Sequence, residues 1–220
     1  MCNAAGSGTP AQIAGLVRNG ADPNGSCFAD SGGDNIPLVA AAVSNRPDNI
    51  VALLDAGAKI DGVHYAGTDD DQTALYVPAN AAIAELLVSR GATVDRRNFY
   101  GQTPLGQIVE DSGRPDASVS NSIAVAKVLL DHGANVNNAE VGGRTVLMEI
   151  GALDSRTDTS QMLEFLIAHG ADVNRKDDDG NTAFARLVKA EHDPSFSDDA
   201  PYLLLLRKYE TILKAHGATR

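Results

Sequence analysis

Three histidines, His132, His169 and His216, each stand directly before a Gly-Ala pair. A row of imidazoles is metal chemistry only if the rings converge on one ion. Packed helices lie about 8–10 Å apart, whereas a Zn–N bond is about 2.1 Å, so one histidine on each of three neighbouring helices does not make a site. Each is read as a partner for the negative end of its own helix. Two acidic runs, Asp69-Asp70-Asp71 and Asp177-Asp178-Asp179-Gly180-Asn181, raise calcium. With Gly180 at the sixth position of a calcium loop, the first and twelfth fall on Arg175 and Arg186, so the carboxylates those positions need are missing. These acids are read as solvated turns. The chain also lacks a G-x-S-x-G elbow, an H-E-x-x-H helix, a phosphate loop and a C-x-x-C pair. Cys27 and His64 are residue types without a catalytic arrangement. The expectation is a protein with no catalysis, no cofactor and no metal.

Binding chemistry is better represented. Arg96-Arg97-Asn98-Phe99-Tyr100 sets two cations beside two rings, and interface anchors are enriched in aromatic residues and arginine. Phe28, His64, Tyr65 and the pair Arg175-Lys176 complete the candidate contact set. These residues need elements to hold them, and those elements are announced by a recurring phrase. It reads N-G-A-D-P-N at 19–24, A-G-A-K-I-D at 56–61, R-G-A-T-V-D at 90–95, H-G-A-N-V-N at 132–137, H-G-A-D-V-N at 169–174 and H-G-A-T at 216–219. Its glycines are 37, 34, 42, 37 and 47 residues apart. A second phrase falls between the copies: N-I-P-L from Asn35, Q-T-A-L from Gln72, Q-T-P-L from Gln102, R-T-V-L from Arg144 and N-T-A-F from Asn181. Apolar runs at helical spacing, such as Val125-Val128-Leu129 and Leu163-Leu166-Ile167, precede the Gly-Ala copies.

On these phrases the chain resembles the ankyrin repeat family, whose unit is about 33 residues with a T-P-L start. The resemblance implies an all-α repeat solenoid of helix-turn-helix pairs joined by β-hairpin fingers. A single domain over 1–220 would hold a truncated half-repeat at 4–24 and about five repeats, at 33–61, 70–95, 100–137, 142–174 and 179–218. It also implies a partner that meets the fingers and the concave face, which places Phe28, Tyr65, Phe99 and Tyr100 in fingers. The local chemistry agrees with the pattern. Thr73, Thr103, Thr145 and Thr182 are placed to cap first helices, with Pro104 at a first helical position. The glycines of the first phrase are placed to close second helices in a left-handed conformation. The Val/Ile and Asn/Asp alternation after them is expected to run into short extended fingers.

The chain departs from a plain repeat in several places. Pro78 should cut a first helix short. Segments 110–121, 151–160 and 190–201 are insertions that together carry −7 of the formal charge of −11. They read either as solvated loops or as an acidic edge that steers a basic partner. Phe165, Phe184 and Tyr202 are expected in the core, Tyr209 fits core or surface, and the run Leu203-Leu204-Leu205-Leu206 is more apolar than one buried face needs. At the start, Thr9-Pro10 opens a helix, and only Ala4-Ala5 remain of the one that should precede it. The string Cys2-Asn3-Ala4-Ala5-Gly6-Ser7-Gly8 resembles the start of a mature bacterial lipoprotein. That resemblance implies a periplasmic or outer-membrane-anchored protein whose membrane contact is a lipid on Cys2. The alternatives are a cytoplasmic protein, and a Cys2–Cys27 pair formed in an oxidising compartment.

The acidic balance, with pI about 4.7, argues against nucleic acid, because phosphate binding needs clustered Lys and Arg. No apolar stretch approaches the roughly 20 residues of a spanning helix. The expected function is a protein–protein interaction module, monomeric by itself, that holds a specific protein partner through its fingers and concave face. The alternative is a dedicated inhibitor, an immunity protein that neutralises a toxic enzyme in the bacterial periplasm. A host-directed effector is a third reading.

Overall fold

Several helices begin where the sequence supplies an oxygen for their first free N–H groups. In a computed structural model that describes residues 1–28, 34–63, 71–150, 157–193 and 199–219, with Cys27, Phe28, Asp34 and Asn35 described as backbone alone, Thr9 accepts from Gln12 N at 3.3 Å. Gln12 Oε1 accepts in return from Thr9 N at 2.9 Å, which completes a capping box. Thr103 accepts from Gly106 N at 3.3 Å and Thr182 from Ala185 N at 3.1 Å. The elements in chain order are α1 (Cys2–Ser7), α2 (Pro10–Arg18), β1 (Cys27–Phe28), β2 (Asp34–Asn35), α3 (Pro37–Val43), α4 (Pro47–Asp55), a 3-10 turn (Ala74–Tyr76), α5 (Ala81–Ser89), α6 (Pro104–Ser112), α7 (Val119–Asp131), α8 (Val146–Glu149), α9 (Ser160–Ala168), α10 (Ala183–Glu191) and α11 (Ala200–Ala215). The fold is all-α. Pro78 acts as expected: where a first helix should run, only the 3-10 turn forms.

Thr145 does not cap. Its hydroxyl is buried without a hydrogen-bond partner, because the N–H it would receive, that of Met148, goes to the Thr145 carbonyl at 2.8 Å. Helix α8 spans four residues. The far ends of α2, α4, α5, α7, α9 and α11 share one feature, which α6 and α10 lack. Gly20, Gly57, Gly91, Gly133, Gly170 and Gly217 all sit at φ between 81° and 92°, a left-handed conformation that L side chains avoid.

The fingers differ from expectation. Among the described residues they hold one short antiparallel ladder, β1 with β2, and one isolated bridge, Ala139 with Thr145; elsewhere they are turns. Side chains fix the start of three fingers. Asp22, Asn135 and Asp172 each accept the N–H two residues on, at 2.8, 2.9 and 2.9 Å, which folds the chain into an Asx turn. The last Asn of the phrase then bridges to the next copy. Asn24 Nδ2 donates to the Gly57 carbonyl at 3.0 Å and Asn24 Oδ1 accepts Lys59 N at 2.7 Å. Asn137 repeats the bond to Gly170 at 2.9 Å, and Asn174 repeats it to Gly217 at 3.0 Å.

The chain divides into two compact units, Met1–Tyr100 and Gly101–Arg220. In the first, α1 lies on α3, α2 on α4, and α3 on both α4 and the 3-10 turn, around Ile13, Leu38, Ile50, Leu53, Tyr76 and Leu87. This unit opens on a helix pair, since α1 forms where only two alanines marked it. In the second, α6 packs on α7 and α8, α10 on α8 and α11, and α9 on α7 and α11, around Leu105, Leu129, Leu147, Leu166, Phe184 and Leu206. Tyr202 and Tyr209 join this core. Tyr209 Oη accepts Thr159 N at 2.9 Å and donates to the Thr157 carbonyl at 3.2 Å. Phe165 does not join the core: it is half-buried and stacks on His169 at 4.1 Å between ring centroids.

Two further expectations change. Residues 110–112 of the first insertion belong to α6, and Ser112 is fully buried. Asp177 is not a solvated turn acid. It is buried, pairs with Arg186 at 2.7 Å and accepts Asn181 N at 2.7 Å and Asp179 N at 3.1 Å. Burial pushes its carboxyl up, but the Asn181 N–H and the Arg186 guanidinium outweigh this and hold it below the ordinary carboxylate range.

Glu149, at the end of α8, shows the opposite balance. Burial pushes its carboxyl up, Arg144 offsets part of the rise, and Glu110 adds to it. A raised carboxyl means that the folded state binds more protons than the unfolded one, so this group removes stability as pH climbs from about 4 through the folded value. Glu149→Gln is expected to raise the melting temperature at pH 7 and to leave it unchanged near pH 4, checked by thermal melts at the two pH values.

Candidate partner-binding surface

Asp71 organises the segment that carries the ring pair. Its carboxylate accepts Phe99 N at 2.8 Å and lies 3.7 Å from Arg96 Nη2. Asn98, which is buried, accepts Tyr100 N through Oδ1 at 3.0 Å, an Asx turn that sets the two rings side by side. Beneath them Tyr76, fully buried in the 3-10 turn, donates its hydroxyl to the Arg96 carbonyl at 2.6 Å. The backbone of 96–100 is thus held at three points by side chains from elsewhere in its unit or from within the turn. On this base Phe99 is 67% exposed and Tyr100 52% exposed. They meet edge to face at 5.5 Å between centroids, so each ring covers part of the other and both leave a face to solvent. Arg97 is exposed beside them.

The remaining candidates are distributed differently. Phe28 lies in β1, in the same unit, and its side chain falls outside the described residues, as do His64 and Tyr65 altogether. Arg175 and Lys176 belong to the second unit, in the turns after α9, and both are exposed. The sequence pointed to Arg96–Tyr100 but not to Asp71 or Tyr76 as the residues that hold it. Helix α5 lies between both of them and the segment, and no local spacing links them to it.

The charge picture also sharpens. Glu110 accepts from Gln102 Nε2 at 2.7 Å, Asp111 pairs with Arg114 at 3.0 Å, Asp158 with Lys208 at 2.6 Å and Glu191 with Arg207 at 2.7 Å. These contacts tie four of the nine inserted acids to donors inside the second unit, and Arg207 and Lys208 add two cations beside them from outside the insertions. The surplus leucines remain partly uncovered, with Leu204 71% exposed. Leu204 and Leu205 line a shallow groove of about 490 Å³ with Pro201, Lys208 and Thr211.

Cys2 is disulfide-bonded, and the chain holds one other cysteine, Cys27. One sulfur cannot carry both a disulfide and a lipid thioether. His132, His169 and His216 stand at the C-terminal ends of α7, α9 and α11, and His169 Nδ1 lies 2.7 Å from the Phe165 carbonyl of its own helix. Among the described residues no three His, Cys, Asp or Glu side chains lie together as a metal site would require.

Fold and surface together define an all-α protein with a pre-ordered aromatic pair on a clamped turn. No protein-family model matches the chain, and no curated protein matches it.

Proposed function

We propose that the chain is an ankyrin-type repeat protein that binds one protein partner, with the turn 96–100 as an anchor. The observation that carries this reading is the contrast at Phe99 and Tyr100: both rings are exposed, yet the backbone beneath them is fixed by Asp71, Asn98 and Tyr76. A large ring held rigid before binding loses little entropy when a partner covers it, and such rings dominate interface energetics. The repeat reading is supported by six left-handed glycines in six Gly-Ala phrases and by the Asn bridges between successive copies.

The test is a titration. Proteins retained by the parent chain but not by Phe99→Ala/Tyr100→Ala are identified, and the retained partner is titrated against both. The double variant is expected to keep its melting temperature and to lose at least about 2 kcal/mol of binding, roughly 30-fold in Kd. Equal affinities overturn the anchor assignment.

The disulfide at Cys2 favours one version of this reading. Disulfides persist in oxidising compartments such as the bacterial periplasm, where an immunity protein would neutralise a toxic enzyme. In that version Cys2 is paired and not lipidated. Intact mass of the protein isolated from its source distinguishes the two, since a lipid adds hundreds of daltons and a disulfide removes about 2.

A further inference from the structure

Helix α11 is the longest of the described helices, with 16 residues, and runs about 24 Å. Its inward side is occupied, because Tyr202, Leu206, Tyr209 and Leu213 are buried in the second unit. Leu204 stands two residues before Leu206, about 200° around the helix. It is 71% exposed, more than any other large apolar side chain among the described residues. Pro201, Leu204, Lys208 and Thr211 follow one another at steps of three and four residues, which sets them in one row along the outer side. That row borders the groove of about 490 Å³ that Leu205 also lines. One face therefore carries an uncovered leucine and a shallow apolar recess beside it.

The charges on this face decide what can cover it. Lys208 pairs with Asp158 at 2.6 Å, and the two side chains are 50% and 52% exposed. Arg207, which also lines the recess, pairs with Glu191 at 2.7 Å. Each cation already holds an anion, so the lining is balanced in a chain of net charge −11. It offers no surplus acid to a basic partner and no surplus cation to an acidic one. A two-fold interface uses the same patch on both subunits, so the patch must complement itself. A leucine row beside one half-exposed lysine and one half-exposed aspartate does so.

We propose that this face of α11 binds a second copy of the chain across a two-fold axis. Leu204 of each copy enters the recess of the other, and Lys208 of each copy faces Asp158 of the other. The sequence alone led to the expectation of a monomer, since it does not show which leucines of the run 203–206 stay outside. One helix face is small against the roughly 800 Å² per copy of a standard interface, so the dimer is a weak one that forms and dissociates with concentration. The contact stands independently of whether the ring pair binds a partner.

Sedimentation velocity of the full chain over a concentration series tests the contact. The parent is expected to pass from monomer toward dimer between roughly 10 and 300 μM, the range of a weak contact. Leu204→Glu should weaken the dimer at least ten-fold and keep the melting temperature of the parent, because the side chain is not packed in the core. Lys208→Glu should weaken it as well, since acids then face each other across the axis. Phe99→Ala/Tyr100→Ala should dimerise as the parent does. A parent that stays monomeric throughout overturns the proposal and leaves the recess to a neutral apolar ligand of another kind. Unchanged dimers of Leu204→Glu overturn it too, as do assemblies larger than a dimer. Loss of the dimer in the ring variant would place the contact at the rings and overturn it likewise.

Discussion

Asp177→Ala is expected to destabilise the second unit by about 3 kcal/mol, the lower end of what breaking a buried ion pair costs, since Arg186 keeps some solvent access. The substitution removes the carboxylate from Arg186 and also strands the N–H groups of Asn181 and Asp179, which it accepts at 2.7 and 3.1 Å. Denaturant unfolding of parent and variant measures the difference. Arg186→Met in the Asp177→Ala background should recover part of it, because the unpaired cation is then gone. A pH dependence follows from the same group. Its folded carboxyl lies below the ordinary range, so its stabilisation is fully present above the unfolded value of about 3.9 and is lost as pH falls through the folded value. The stability of the parent should therefore fall with acid more steeply than that of Asp177→Ala. Parallel acid curves for the two proteins would show that the ion pair contributes nothing.

Tyr76→Ala is expected to cost about 4 kcal/mol, as for other large buried rings cut to alanine. The ring is fully buried and sits in the 3-10 turn on which α3 and α5 both pack. Tyr76→Phe separates packing from hydrogen bonding. It keeps the ring and removes the 2.6 Å bond to the Arg96 carbonyl, for a loss of about 1 kcal/mol. That milder variant should also loosen the turn 96–100. Partner dissociation should quicken although no contact residue has changed. If Tyr76→Phe binds as the parent does, the turn is rigid without its hydroxyl.

These two residues mark the limit of what the chain reveals when read in order. The caps at Thr9, Thr103 and Thr182 and the left-handed glycines were legible because each depends on atoms within about four residues. The short turn at Pro78 was legible for the same reason. Thr145 failed as a cap because the backbone of α8 took the N–H it needed. Three fingers open on Asx turns at Asp22, Asn135 and Asp172, and the first two still lead into the β1–β2 ladder and the Ala139–Thr145 bridge; which finger forms a ladder is a choice that the repeated phrase does not disclose. Asp177 was read as a solvated acid since its partner Arg186 lies on the next helix. Framing the two as calcium-loop positions put them in view without showing that they pair.

The ring pair divides along the same line. The sequence by itself determined that Phe99 and Tyr100 sit between a helix-closing glycine and a helix-capping threonine, in a chain of net charge −11. Only the tertiary structure decided that they stay exposed on a fixed turn, that Asp71 and Tyr76 hold it, and that a two-alanine remnant becomes a helix clamped by Asn49, whose amide donates to the Ala5 and Gly8 carbonyls at 2.9 and 3.1 Å. Helix starts and stops are settled by neighbours in sequence, whose hydrogen bonds form at short range. Burial, ion pairing and clamping are settled by residues that meet only after the chain has folded back on itself, and their identities leave no periodic trace.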